Sequence, residues 1–189
     1  MTTPQALPLV HVVLGSTRQG RAGGRVARWF LEVGASRGDL RLELVDLRDW
    51  PLPFFDLAKP PAAGGYEDPA QIAWAEKVDE ADAYVLVTPE YNHGYPAVLK
   101  NALDTVYAEW GGKPVAFVGY GGSAGGVRAV EQLRQVVVEL DMVPLRPQVA
   151  LPRAYSAFAD DGSLRHPGPE REAASVLDAL VDWTRRIQP

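Results

Sequence analysis

Residues 84–104 read Tyr84-Val85-Leu86-Val87-Thr88-Pro89-Glu90-Tyr91-Asn92-His93-Gly94-Tyr95-Pro96-Ala97-Val98-Leu99-Lys100-Asn101-Ala102-Leu103-Asp104, and this stretch decides the fold. Its first five residues form an apolar run without polar alternation, the pattern of a strand covered on both faces. From Pro96 onward, Val98-Leu99, Ala102-Leu103 and Val106 recur at helical spacing, which predicts a helix over 96–108. Between strand and helix lies a polar, aromatic, glycine-bearing loop. In an open parallel sheet that position, beyond a strand's carboxyl end, is where ligands bind.

The same strand-to-helix change repeats outward in both directions. Leu9 to Leu14 is a valine-rich run ended by Gly15, followed by Val26, Phe30 and Val33 at helical spacing within 23–37. Residues 41–47 read as a strand. Five prolines (51, 53, 60, 61, 69) and Gly64-Gly65 make residues 48–69 a surface loop long enough to imply a functional or interface role. Pro69 can open a helix reaching Ala81. Beyond the central stretch, Pro114 to Tyr120 reads as a strand, 126–140 as a helix, and Val143 to Leu151 as a last strand. Pro144 and Pro147 place that strand at an edge. A helix over 169–187 closes the pattern. Alternating strands and helices imply a parallel sheet covered on both sides. Right-handed crossovers then favour a flavodoxin-like three-layer α/β sandwich whose five-stranded sheet has the order 2-1-3-4-5.

Bulk properties narrow the class. The chain has 189 residues, 47% hydrophobic and 23% charged, as expected of one globular domain spanning 1–189. A net charge of −5 argues against nucleic acid as a partner. The absence of cysteine excludes disulfides and thiolate chemistry. His11, His93 and His166 lack metal-ligand spacing, so no metal site is expected. Residues 1–5 lack a basic leader region, and no apolar run reaches the length of a membrane span. The expectation is a cytoplasmic protein with no membrane partner.

Three turns carry the chemistry. Gly15-Ser16-Thr17-Arg18-Gln19-Gly20-Arg21 combines a tight turn, two hydroxyls, the amides of a helix start and two guanidinium groups, all suited to a phosphate. It is neither a nucleotide-triphosphate loop, lacking Gly-Lys-Ser/Thr, nor a dinucleotide fingerprint, since Gly15 and Gly20 have the wrong separation. In the turn at 89–95, Tyr91 and Tyr95 can flank a flat ring, and Gly94 permits close approach or a positive φ. Glu90 serves equally well as a cap of the following helix. The turn at 120–126 holds four glycines in seven residues, bare backbone that can donate N–H groups to ring carbonyls. Together they describe a site for a phosphate-bearing, flat aromatic ligand such as FMN. Lys100, Asn101 and Asp104 carry no assigned chemistry, His93 reads as an exposed loop residue, and the five tryptophans read as packing or interface residues.

At these residues the chain resembles the NADPH-dependent FMN reductase family, which includes azoreductases, quinone reductases and chromate reductases. The matching pieces are Val13 to Arg21, Pro89 to Pro96 with Leu99 to Asp104, and Gly121 to Gly126, in family order over about Leu9 to Leu151. The resemblance implies that Ser16, Thr17, Arg18 and Arg21 meet the FMN phosphate. It implies that Pro89, Glu90, Tyr91, Asn92 and Gly94 line the ring and ribityl chain, and that Gly122 and Ser123 approach the pyrimidine end. It further implies a homodimer or homotetramer, with 96–108 and 126–140 as interface candidates. His93 and the proline-rich loop depart from the family pattern.

The expected activity is NAD(P)H oxidation through bound FMN, with NADPH or NADH as co-substrate and a small acceptor: a quinone, azo compound, metal oxyanion or free flavin. No side chain is assigned as catalytic, because the flavin performs the redox chemistry. A flavodoxin-like electron carrier and a non-flavin scaffold remain as alternative readings. Carriers are usually strongly acidic, and −5 is modest.

Overall fold

A computed structural model describes residues 6–187. Residues 1–5, expected to carry no leader, lie outside the described residues. Five parallel strands form one sheet: β1 (Leu9–Leu14), β2 (Arg41–Asp46), β3 (Ala83–Pro89), β4 (Pro114–Tyr120) and β5 (Val143–Leu151), in the order β2-β1-β3-β4-β5. Five helices cover it: α1 (Gly23–Gly34), α2 (Pro69–Asp79), α3 (Ala97–Asp104), α4 (Val127–Glu139) and α5 (Gly168–Ile187). The predicted flavodoxin-like α/β architecture and strand order are thus observed.

The period-2 geometry of the strands sorts the core into two layers. Val10, Val12, Leu14, Val85, Val87, Ala116 and Val118 face α1 and α5. Val13, Tyr84, Leu86, Val115 and Phe117 face α2, α3 and α4. Both faces of β3 and β4 are fully buried, which explains why their sequences run apolar without alternation. At the edge, β5 shifts register between Val115 and Phe117 of its neighbour. Proline has no N–H to give a ladder, and Pro147 lies within the irregular stretch.

Both ends of α3 differ from the sequence reading. Pro96 is the residue before α3, extended at φ −67° and ψ 145°, and the helix stops at Asp104 instead of reaching 108. Side-chain donors take its last carbonyls: Trp74 Nε1 bonds Ala102 O at 2.8 Å, Trp110 Nε1 bonds Leu103 O at 3.1 Å, and Gln71 Nε2 bonds Thr105 O at 2.7 Å. Carbonyls satisfied from outside need no further helical turn. A short 3-10 turn at Ala108–Trp110 follows. By contrast, Pro69 does open α2, with Asp68 as its cap, accepting from the amides of Ala70 and Gln71 at 2.9 Å each.

Asn101, to which sequence gave no chemistry, holds the proline-rich loop. Its Oδ1 accepts from Phe55 N at 3.0 Å, and its Nδ2 donates to Pro53 O at 2.8 Å. One α3 side chain thereby fixes the connection at Pro53 and Phe55, between the ends that Trp50 and Tyr66 pack onto the core.

Candidate functional site

Because all five strands run parallel, their carboxyl ends share one rim. The turns after β1, β3, β4 and β5 meet there around a cavity of about 490 Å³. Arg18 and Arg21 line it at one end, Pro89, Glu90, Tyr91 and Asn92 along one wall, and Tyr120, Gly121, Gly122 and Tyr155 along the other. Turns separated by up to 137 residues in sequence therefore converge on one space.

The turn after β1 is built to receive an anion. Its carbonyls are occupied from outside. Arg21 donates to Ser16 O, Arg48 Nε donates to Thr17 O at 3.2 Å, and Arg48 Nη2 donates to Arg18 O at 2.6 Å. Among the described residues, the amides of Ser16 to Gly20 donate to no protein acceptor. The helix that follows, α1, has Ala22 at its N-cap, no side-chain cap and no acidic residue in its first turn. Unpaired amides at an uncapped helix start favour a bound anion.

Arg21 differs from its expected role. Its guanidinium forms a bidentate pair with Asp46 at the end of β2, only 8% exposed on the arginine side. It lies at the cavity wall, but its donors hold the loop together. Burial pushes the Asp46 carboxyl up, yet the hydrogen bond from Arg21, the Arg48 amide and the charges of both arginines outweigh it, so the net shift is downward. Arg18 has no carboxylate partner among the described residues. It donates to the Tyr155 hydroxyl, with its guanidinium 6.0 Å from that ring's centroid.

The turn after β3 is a tight hairpin. Tyr91 and Gly94 exchange both backbone hydrogen bonds, at 2.8 and 2.9 Å. The left-handed positions are Asn92 (φ 50°) and His93 (φ 70°); of the two roles expected for Gly94, it takes close approach and not a positive φ. Two consecutive positive φ values make a type I′ turn, and asparagine is a residue that tolerates such a position. Gly94 closes the hairpin instead, where a Cβ would lie 3.2 Å from Gln132 Oε1. Tyr91 Oη lies 2.9 Å from Ser16 Oγ and ties this hairpin to the anion loop. Tyr95 packs into the core on the α2–α4 side and does not line the cavity. The Glu90 carboxylate points to α4, not to the helix that follows it in sequence. It accepts from the Arg128 amide at 3.3 Å and pairs with the Arg128 guanidinium.

On the opposite wall, Gly121 donates its amide to Leu151 O, while Gly121 O and Gly122 O accept from Ala154 and Arg153. The Gly122 and Ser123 amides donate to nothing among the described residues. Gly122 lines the cavity; Ser123 lines a neighbouring one, beside Leu151 to Arg153. Ser16, Thr17 and Gly94 border the cavity through their neighbours and are not part of its lining.

Tyr120 and Tyr155 complete the site, and the sequence motifs missed both. Tyr120 Oη is buried near the Ser16 side chain, and burial pushes its pKa up. Tyr155 is 69% exposed. The strand order was the available clue, since it puts the turn after β5 at the same rim. Orphan amides at one end and a cavity walled by Tyr91, Tyr120 and Tyr155 suit the phosphate and ring of FMN.

A second cluster lies away from this rim. His11, Glu43 and Glu80 bring ligand atoms within 4.8 Å of one another, although their sequence spacing gives no hint of it. Lys77 is the cation serving those carboxylates, at 2.5 Å from Glu43 and 2.6 Å from Glu80. Burial, reinforced by Lys77, lowers the His11 pKa to about 4.

Comparison with known proteins agrees with this geometry. A family profile described as NADPH-dependent FMN reductase matches residues 8–156. The chain is 42% identical to an NAD(P)H-dependent FMN reductase of Schizosaccharomyces pombe over 99% of its length and 89% of the relative's. It is 35% identical to a probable NADPH:quinone oxidoreductase of Oryza sativa subsp. japonica over 100% of its length and 98% of the relative's. Among solved structures, FerB of Paracoccus denitrificans, a flavoenzyme NAD(P)H:(acceptor) oxidoreductase, superimposes with a TM-score of 0.71 at 26% identity, covering 95% of this chain and 98% of the other. The chain belongs to the NADPH-dependent FMN reductase family.

Proposed function

We propose that this member of the NADPH-dependent FMN reductase family binds FMN in the rim cavity and transfers electrons from NAD(P)H to a small acceptor such as a quinone. The supporting observation is the loop after β1, whose carbonyls are occupied by Arg21 and Arg48 while its amides from Ser16 to Gly20 have no protein acceptor. A phosphomonoester supplies the acceptors that those amides lack, and Arg18 adds a charged donor.

In this reading Ser16, Thr17 and Arg18 hold the phosphate, and Arg21 keeps the loop in shape from the cavity wall. Pro89, Glu90, Tyr91 and Asn92 form one side of the ring slot, with Gly94 closing the hairpin that carries them. Gly122 and Ser123 offer amides to the ring's pyrimidine end. Such donors favour negative charge developing there during reduction. Bound FMN supplies the redox chemistry, accepting hydride from the nicotinamide and passing electrons on. The protein residues orient the partners and exclude competing geometries. Donor and acceptor both need the exposed face of the ring, so they take the same place in turn.

The protein works in this reading as one 1–189 unit in the cytoplasm, as a homodimer or homotetramer. Among the described residues, no helix is long and apolar enough to cross a membrane. Exposed Val138 on α4 and Phe54, in the loop that α3 anchors, support an interface on that side.

The test is anaerobic mixing of the FMN-loaded protein with NADPH or NADH. Rapid bleaching of the flavin absorbance without a second protein, followed by recovery on adding a quinone, is the expected result. Bleaching that requires a separate reductase overturns the enzyme reading in favour of an electron carrier.

A further inference from the structure

The cluster of His11, Glu43 and Glu80 takes no part in the rim site. His11 on β1 and Glu43 on β2 are register partners, so their side chains leave the same face of the sheet. That face is the one α2 covers, since Val13, two residues after His11, belongs to the core layer of Trp74 and Val78. Glu80 follows directly after the last residue of α2 and completes the group. The His11 imidazole is 1% exposed, and its Nε2 has no hydrogen-bond partner among the described residues. This atom is aimed at the two carboxylates, 3.8 Å from Glu43 Oε2 and 3.9 Å from Glu80 Oε2. Lys77 pairs with both carboxylates and leaves the imidazole nitrogen unserved. A buried nitrogen without a partner is costly to keep, and it calls for a ligand of its own.

We propose that His11 Nε2, Glu43 and Glu80 bind a divalent transition-metal ion, with Zn²⁺ the best match, in place of the Lys77 ammonium. One imidazole and two carboxylates form a mixed nitrogen and oxygen donor set. Such a set suits zinc and its first-row neighbours better than Mg²⁺ or Ca²⁺, which favour oxygen alone. Donor atoms about 2.1 Å from a tetrahedral zinc stand roughly 3.4 Å from one another. The three donors here already lie within 4.8 Å of one another. Both glutamates are half-exposed, so small rotations close the remaining gap and solvent delivers the ion. Lys77 serves the carboxylates alone, whereas a metal ion takes electron pairs from both and from the imidazole at once. The lysine ammonium rides on a flexible four-carbon stem and can swing aside. Histidine spacing hides such a site, because its donors come from three separate elements. The bound ion pins β2, an edge strand whose one neighbour is β1, to β1 and to the end of α2. Its role is structural, linking stability to metal supply, and it does not depend on the flavin reading.

The test uses untagged, full-length, FMN-loaded protein, stripped with EDTA and then freed of chelator and unbound flavin. Calorimetry with ZnCl₂ should give one ion per chain. Zinc at about 100 times its Kd should raise Tm by roughly 5–10 °C, and MgCl₂ should do neither. His11→Gln and Glu80→Gln should each weaken zinc binding at least about 10-fold. Glu80 is half-exposed, so its variant keeps the fold where loss of the imidazole proves disruptive. Lys77→Met should bind zinc at least roughly 5-fold more tightly, since a repelling ammonium leaves the site. Absence of zinc binding overturns the proposal, and so does an equal response to MgCl₂. Binding that His11→Gln or Glu80→Gln leaves unchanged, or that Lys77→Met fails to strengthen, marks an adventitious ion only and overturns it equally.

Discussion

At the scale of single residues, the site works by leaving groups unsatisfied. Among the described residues, Arg18 is the charged side chain of the phosphate loop that meets no carboxylate, while Arg21, five residues after Ser16 in sequence, is consumed by Asp46. Sequence could name both arginines but could not divide their roles, since the division depends on β2 lying beside β1. Arg18→Ala should therefore raise the FMN Kd roughly 10- to 100-fold, the value of one charge-assisted contact. Fluorescence titration with FMN checks this. Arg21→Ala should act differently, lowering stability as well as affinity, because it leaves Asp46 partly buried without its partner. Urea unfolding of both variants separates the two effects. Glu90 and Gly94 follow the same pattern. The motif containing them was legible, but the α4 cap made by Glu90 and the positive φ at Asn92 and His93 came only with the fold.

At the scale of elements, strand and helix types were legible because each carries its own period, and their ends were less so. The sequence reading extended α3 to 108 because the apolar spacing continues to Val106. Side chains of Gln71, Trp74 and Trp110, contributed by other segments, end it at Asp104. Local pattern cannot show a carbonyl satisfied from elsewhere in the chain. The glycine-rich turn before α4 shows the opposite case. Gly126 sits at φ 89°, and a Cβ there would lie 2.4 Å from Tyr120 N. Gly126→Ala should destabilise the protein by roughly 2–4 kcal/mol, combining left-handed strain with backbone overlap. Chemical denaturation measures that loss. Asn101→Ala should release the proline-rich loop without unfolding the sheet. The Phe55 amide should then exchange with solvent roughly 5- to 10-fold faster, as loss of a hydrogen bond worth about 1 kcal/mol implies.

For the whole molecule, the parallel order places four turns at one rim, and from that follows the site. The strand order was legible from alternation and handedness, so the convergence of three of these turns could be inferred. The fourth, carrying Tyr155, belongs to no motif and could be found only by noting where β5 ends. The same order also brings His11, Glu43 and Glu80 together from three elements, which no spacing rule reveals. This cluster makes global stability depend on pH. His11 is 1% exposed, its Nε2 has no hydrogen-bond partner among the described residues, and it faces Lys77, Glu43, Glu80 and Lys113. Its folded pKa of about 4 lies below its ordinary 6.5, so between these values the unfolded chain takes up a proton that the native one refuses. The contribution is complete above pH 6.5 and lost as pH falls to about 4, amounting to roughly 3 kcal/mol. In urea titrations between pH 7 and 4.5, wild type should lose more stability than His11→Gln; equal losses contradict the role given to His11. The central claim is that the turns after β1, β3 and β4 form one cradle for FMN. A crystal structure of the FMN-loaded protein tests it most directly. The account predicts the phosphate on the amides of Ser16 to Gly20, the ring against Tyr91 and Asn92, and its pyrimidine end at Gly122; flavin density elsewhere, or a phosphate away from that loop, would contradict it.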